Sequence, residues 1–132
     1  MWPFSAIDKI LEDVNQHMNR IGRLRKNYEF KYVYNKGRVY SNNLLVLYIA
    51  ENKDKYNKVG FSVSKKVGKS VIRNKVRRRL KECYRLNSDR IKKGYNMVFI
   101  SRVRAREASY DEIERSMLHL LKKSKAFLAL SQ

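Results

Sequence analysis

Gly68-Lys69-Ser70-Val71-Ile72-Arg73-Asn74-Lys75-Val76-Arg77-Arg78-Arg79-Leu80-Lys81-Glu82-Cys83-Tyr84-Arg85 holds eight lysines or arginines from Lys69 onward against one acid, Glu82, a local balance of +7. The same run keeps Val71, Ile72, Val76, Leu80, Cys83 and Tyr84 at helical spacing. A disordered basic tail has no use for an apolar stripe, so the run predicts a folded helix, docked on a core by one face and cationic on the other. Arg73, Arg77 and Lys81 recur every fourth residue as one ridge. Asn74, Arg78 and Arg85 lie beside that ridge, and Lys75 and Arg79 fan to the opposite flank. Like charges at this spacing destabilise a free helix by about a few tenths of a kcal/mol per pair. A solvated face ordinarily mixes signs, so phosphate contact accounts better for a face of one sign.

Working outward, Ser64–Lys69 reads as a basic loop, with Ser70 as the expected cap of a helix running to about Leu86 or on through Lys93. Val59–Ser64 before it is strand-like. Tyr95–Arg102 after it is nearly all apolar, as a strand covered on both faces would be. Arg38–Ser41 and Asn43–Glu51 alternate, with Leu45, Leu47 and Ile49 opposing Leu44, Val46 and Tyr48, and a polar turn spans Asn52–Asn57. Asn27 is expected to cap a first helix through Tyr34, stopped by Gly37. In that helix Phe30, Val33 and Tyr34 share one face, and Tyr28 and Tyr32 share another. Ser109 and Glu112 have capping-box spacing before a last helix with Ile113, Met117, Leu120 and Leu121 inward. The expected fold is a single-domain α+β sandwich of order α-β-β-β-α-β-α.

Composition bounds the partners. The 132 residues suffice for one modest core. Lys plus Arg 31 against Asp plus Glu 12 gives +19, and a pI near 10.3 exceeds the rough value of 9 that flags nucleic-acid binding. No stretch approaches the ~18 apolar residues of a spanning helix. The basic run also lacks the broad Trp/Phe/Leu face of an interfacial helix, so nucleic acid is favoured over a membrane. One cysteine, Cys83, excludes an intramolecular disulfide and is consistent with a reducing cytoplasm. His17 and His119 have no Cys partners, so no zinc site is expected. Residues 1–17 carry a net −2, unlike the rest, and lack the pattern of a secretory signal. They are expected to be an extension or a misassigned start ahead of Met18, with residues 18–132 as a single RNA-binding domain.

No Ser/His/Asp or Cys/His arrangement and no phosphate-binding glycine loop is evident, so no catalytic residue is expected of the protein. Asp111, Glu112 and Glu114 suit the dipole of a helix N-terminus better than a metal site. Aromatics supply the second clue: nine tyrosines and five phenylalanines, several beside cations. Single-stranded RNA is bound by aromatic platforms in a cationic groove. Composition alone favours an ordinary core role for Phe30 and Tyr34. Asn74 has two readings on spacing alone, reading a base edge or ribose, or orienting a neighbouring arginine.

Phe61-Ser62-Val63-Ser64-Lys65-Lys66-Val67-Gly68-Lys69-Ser70-Val71-Ile72-Arg73-Asn74-Lys75 closely resembles the signature region, the so-called RNR motif, of the bacterial ribonuclease P protein component. Arg23 through Phe30, Gly37 through Tyr48 and the stretch Leu118-His119-Leu120-Leu121 are similar too, so the likeness covers roughly residues 20–127. It implies a small non-catalytic subunit of an RNA-based endonuclease, whose RNA and Mg2+ ions remove the 5′ leader of precursor tRNA. It also implies a left-handed β-α-β crossover carrying the basic helix. By that similarity Lys69, Arg73, Asn74, Lys75, Arg77, Arg78 and Lys81 would bind the ribonuclease P RNA. Phe30, Lys31, Tyr34, Tyr48, Lys65 and Lys66 would hold the leader, which reverses the core reading of Phe30 and Tyr34. Lys75 departs from the hallmark arginine: it keeps the charge and loses the planar bidentate fork. The rival readings are a general RNA-binding or ribosome-associated protein of the same fold, and a stand-alone nuclease.

Overall fold

The computed structural model describes residues 22–128; the expected extension at 1–17 lies outside the described residues. In chain order the elements are α1 (Asn27–Lys36), β1 (Arg38–Ser41), β2 (Leu45–Glu51), β3 (Lys58–Ser62), α2 (Ser70–Asn87), β4 (Tyr95–Ser101) and α3 (Tyr110–Lys123). Short 3-10 turns at Lys65–Val67, Ser88–Arg90 and Val103–Glu107 join them. Among the described residues the order is the one expected from sequence. No described helix is long and apolar enough to cross a membrane.

The four strands form one sheet in the order β1-β2-β4-β3. β1 and β4 flank β2 antiparallel, and β3 runs parallel to β4, so α2 connects two neighbouring parallel strands. Alternation then assigns the faces. Leu45, Leu47, Ile49, Met97 and Phe99 point to one side and meet Val76, Leu80, Cys83 and Tyr84 of α2 and Ile113, Met117, Leu120 and Leu121 of α3. Val98 points to the other side, where it is fully buried with Leu24 and with Val33 of α1. That is why β4 lacks a polar face. Val71, counted in the apolar stripe of α2, is 79% exposed, because the buried arc is narrower than the run of apolar letters.

Two helix starts differ from expectation. Asn27 is the first helical residue, and Lys26 stands at the cap. Glu29 Oε1 accepts from the backbone N–H groups of Lys26 at 3.0 Å and Arg25 at 3.1 Å, which pins the helix entry at Lys26 and leaves Asn27 inside the first turn. Burial pushes the Glu29 carboxyl up, but those two amides and the Lys58 ammonium outweigh it and hold it below its ordinary value. Ser70 is likewise the first residue of α2, after Lys69, and its Oγ accepts from Arg73 Nη2 at 3.0 Å instead of capping an amide. The chain reaches that point through Gly68, whose φ of +157° with ψ of −169° suits only glycine. At the far end α2 stops at Asn87 and does not run on to Lys93; Asn87 Nδ2 donates to Cys83 O at 2.8 Å and to Glu114 Oε2 at 3.2 Å.

The third helix starts as expected. Ser109 Oγ accepts from the Glu112 N–H at 3.2 Å, and Glu112 Oε1 accepts from the Ser109 N–H at 3.1 Å. Ser109→Ala is expected to cost about 1 kcal/mol in urea unfolding, the usual worth of such a cap. A variant as stable as the parent would show that the box adds nothing here.

Candidate nucleic-acid interface

On α2, burying Val76, Leu80, Cys83 and Tyr84 turns the cationic residues outward. Asn74, Lys75 and Arg78 are exposed, and Arg73, Arg77 and Lys81 are partly covered. Of the two roles left open for Asn74, the structure displays the orienting one: Arg77 Nη1 donates to Asn74 Oδ1 at 2.9 Å. Lys81 is held below its ordinary pKa, first by partial burial and then by the positive charges of Arg23 and Arg77. Arg23 had no signal in the helical pattern. It joins the face because residues 22–24 run beside β3, with Leu24 N donating to Val59 O at 3.0 Å and Val59 N to Gly22 O at 2.7 Å.

Not every cation of α2 is available to a ligand. Arg85 is paired with Glu82, the one acid of the run, and Arg79 Nη1 donates to Ala108 O at 2.8 Å. The remainder, Lys69, Arg73, Lys75, Arg77, Arg78 and Lys81, forms no ion pair among the described residues. Lys69 and Arg73 sit at the helix N-terminus, where no acid occupies the first turn and unpaired N–H groups favour an anion. A face of one sign with its cations unpaired suits phosphates.

Across the sheet lies a different surface. The register lines up Val39, Tyr48, Val98 and Gly60 in one row and Ser41, Val46, Ile100 and Ser62 in the next. α1 covers the first row, with Phe30 pressed on Gly60 so closely that a Cβ there would stand 2.5 Å from a ring carbon. Phe30, Tyr34 and Tyr48 form a chain of rings with centroids 6.5 and 5.0 Å apart, the second contact edge to face. Tyr34 remains 38% exposed, and Val46, Ile100 and Ser62 of the second row are half-buried. Burial, with Tyr48 beside it, raises the Tyr34 phenol above its ordinary value against an opposing effect of the Ser62 hydroxyl, so the group stays a neutral donor at pH 7. Half-open rings beside a half-open apolar strip suit stacking of unpaired bases.

Lys65 and Lys66 are exposed in the 3-10 turn that follows β3, between this strip and the start of α2. Lys31 is exposed on α1 next to Phe30. None of the three makes a cation–π contact with these rings among the described residues. Sequence separation hid the meeting of Tyr48 with Tyr34, since it depends on how α1 lies on β2. Cys83 is fully buried and its thiol is pushed up to about 11 by burial, so it stays an inert thiol at neutral pH. Among the described residues no group of three His, Cys, Asp or Glu side chains could hold a metal ion.

Comparison with known proteins follows the same outline. The family model for Ribonuclease P matches residues 18–125. The ribonuclease P protein component of Alkaliphilus oremlandii (strain OhILAs) is 55% identical over 106 residues, covering 80% of this chain and 93% of that protein. Its counterpart from Clostridium botulinum (strain Langeland / NCTC 10281 / Type F) is 55% identical over 103 residues, 77% of this chain and 93% of that protein. Among solved structures, the RNase P protein of Staphylococcus aureus superposes with a TM-score of 0.75 at 34% identity, covering 80% of this chain and 96% of that one. The RNase P protein of Thermotoga maritima gives 0.71 at 30% identity, covering 76% and 96%.

Proposed function

The chain belongs to the ribonuclease P protein family, the protein part of an endoribonuclease that acts in tRNA 5′-end processing with ribonuclease P RNA, and from that premise we propose that it binds two RNAs on the two sides of its sheet. Lys69, Arg73, Asn74, Lys75, Arg77, Arg78 and Lys81 bind the ribonuclease P RNA. Phe30, Lys31, Tyr34, Tyr48, Lys65 and Lys66 hold the 5′ leader of precursor tRNA in the cytoplasm. The observation that carries the reading is the contrast between the surfaces: a one-sign helix face on one side, a half-open row of three rings on the other. The first suits the dense phosphates of a folded RNA, the second an unpaired strand.

We assign no reacting group to the described protein residues. They bind and orient: cations on α2 offset phosphate repulsion, and the rings fix the leader relative to the scissile bond. By resemblance to the family, Mg2+ would be held by the RNA; no step is assigned to a protein-bound ion.

The direct test is cleavage of precursor tRNA by a cognate ribonuclease P RNA at low magnesium. Added protein is expected to restore cleavage, and protein alone to cut nothing. Unchanged cleavage would refute the reading, and equal affinity for unrelated RNAs at matched salt would favour a general RNA-binding role instead. Phe30→Ala should weaken leader-bearing substrate by roughly 1–3 kcal/mol, about 5- to 150-fold, and leave mature tRNA unaffected. Equal losses with both substrates would make Phe30 a packing residue only.

A further inference from the structure

Four of the ten residues of α1 are aromatic, and only the rings of Phe30 and Tyr34 pack toward the sheet. Tyr28 and Tyr32 stand one helical turn apart on the other side, 66% and 45% exposed, and neither joins a hydrophobic cluster. A single exposed ring needs no explanation, but two in succession on one helix face are a patch. Tyr32 is tethered, its hydroxyl donating to Glu51 O at 3.3 Å across to the end of β2. Lys26 Nζ lies 5.9 Å from the Tyr28 ring centroid, within cation–π range.

The charges around these rings are mostly of one sign. Lys26 at the cap, Lys31 and Lys36 of the helix and Lys53 and Lys55 of the turn after Glu51 are exposed, whereas Glu29 is paired with Lys58 at 3.4 Å, leaving Glu51 and Asp54 as the nearby acids. We propose that this outer side of α1 is a second stacking platform for single-stranded RNA, taking the bases of the strand that leaves the Phe30–Tyr34–Tyr48 strip. The inference rests on that strip holding the leader. A helix is only about 10–12 Å across, so a strand leaving one side reaches the other within a few nucleotides. Rings serve the bases and lysines the phosphates, a pairing that a protein partner would not need.

The test compares the full chain, bound to its cognate RNA, with a Tyr28→Ala/Tyr32→Ala double variant, on precursor tRNAs of increasing leader length. Both rings are exposed and only the Tyr32 tether is lost, so melting should fall little, and equally in the Tyr28→Phe/Tyr32→Phe control. The double variant is expected to bind short leaders like the parent and long leaders roughly tenfold more weakly, with Tyr28→Phe/Tyr32→Phe retaining the parental affinity. Parental affinity of the double variant at every length, while Phe30→Ala weakens short leaders, would overturn the platform and spare the strip. A loss equal at all lengths, or self-association of the parent abolished in the double variant, would overturn it also. No effect of Phe30→Ala would remove both readings together.

Discussion

Replacing Arg73, Arg77 and Lys81 together with alanine is expected to weaken binding of ribonuclease P RNA by roughly a hundredfold at physiological salt. Each phosphate that a cation no longer neutralises takes about 0.7–0.9 off the slope of log affinity against log salt, so near 0.15 M each is worth about a factor of four to five. Three such phosphates give the hundredfold weakening and a slope shallower by about 2 to 3. Filter binding over a salt series measures both. The fold should not suffer, since these side chains crowd like charges: Lys81 is depressed by burial and then by Arg23 and Arg77. Melting is expected to be unchanged or slightly higher. An unaltered salt slope would place this ridge off the RNA. A collapsed far-ultraviolet dichroism spectrum would show that the ridge supports packing instead.

Phe99→Ala is the substitution with the largest expected cost to folding. Phe99 is fully buried at the centre of β4, 6.0 Å from Phe61 and 6.4 Å from Tyr84 between centroids. Removing such a ring ordinarily costs about 3–5 kcal/mol, through forfeited transfer energy and the cavity left behind. A domain of this size has about 5–15 kcal/mol to lose, and a charge of +19 works against compactness when no polyanion is present. The variant should therefore be markedly less stable at low salt and regain part of the loss on adding RNA. Saturation at a hundred times Kd returns about 2.7 kcal/mol. Urea unfolding with and without RNA reads the effect. A loss under about 1 kcal/mol would mean that Phe61 and Tyr84 close over the gap.

The two outcomes bear on one design, because Phe99 and its neighbours Val98 and Ile100 point to opposite sides of one strand. The core that seats α2 is thus the back of the strip that α1 partly covers. Loss of packing on one side should blunt leader binding on the other.

By itself the sequence determined the element order, the two alternating faces of β2, the covering of β4 on both sides, the inward residues of α3, the capping box at Ser109 and the cationic face of α2. These follow from periods of two and 3.6 residues and from short-range spacing, which the chain carries wherever it lies in space. The order of residues around Arg73-Asn74-Lys75 also carried the family. The structure decided the rest, some of it by the choice of local partner and some by tertiary packing. Glu29 pinned the first helix entry at Lys26, ahead of Asn27, and Arg73 engaged the Ser70 hydroxyl. Asn74 came to orient Arg77, Arg23 came beside Lys81, and Tyr48 met Tyr34. Each of these outcomes is a competition between partners, and the last two join residues far apart in the chain. Such meetings depend on sheet order and on the lie of α1 across β2, which local periodicity does not encode.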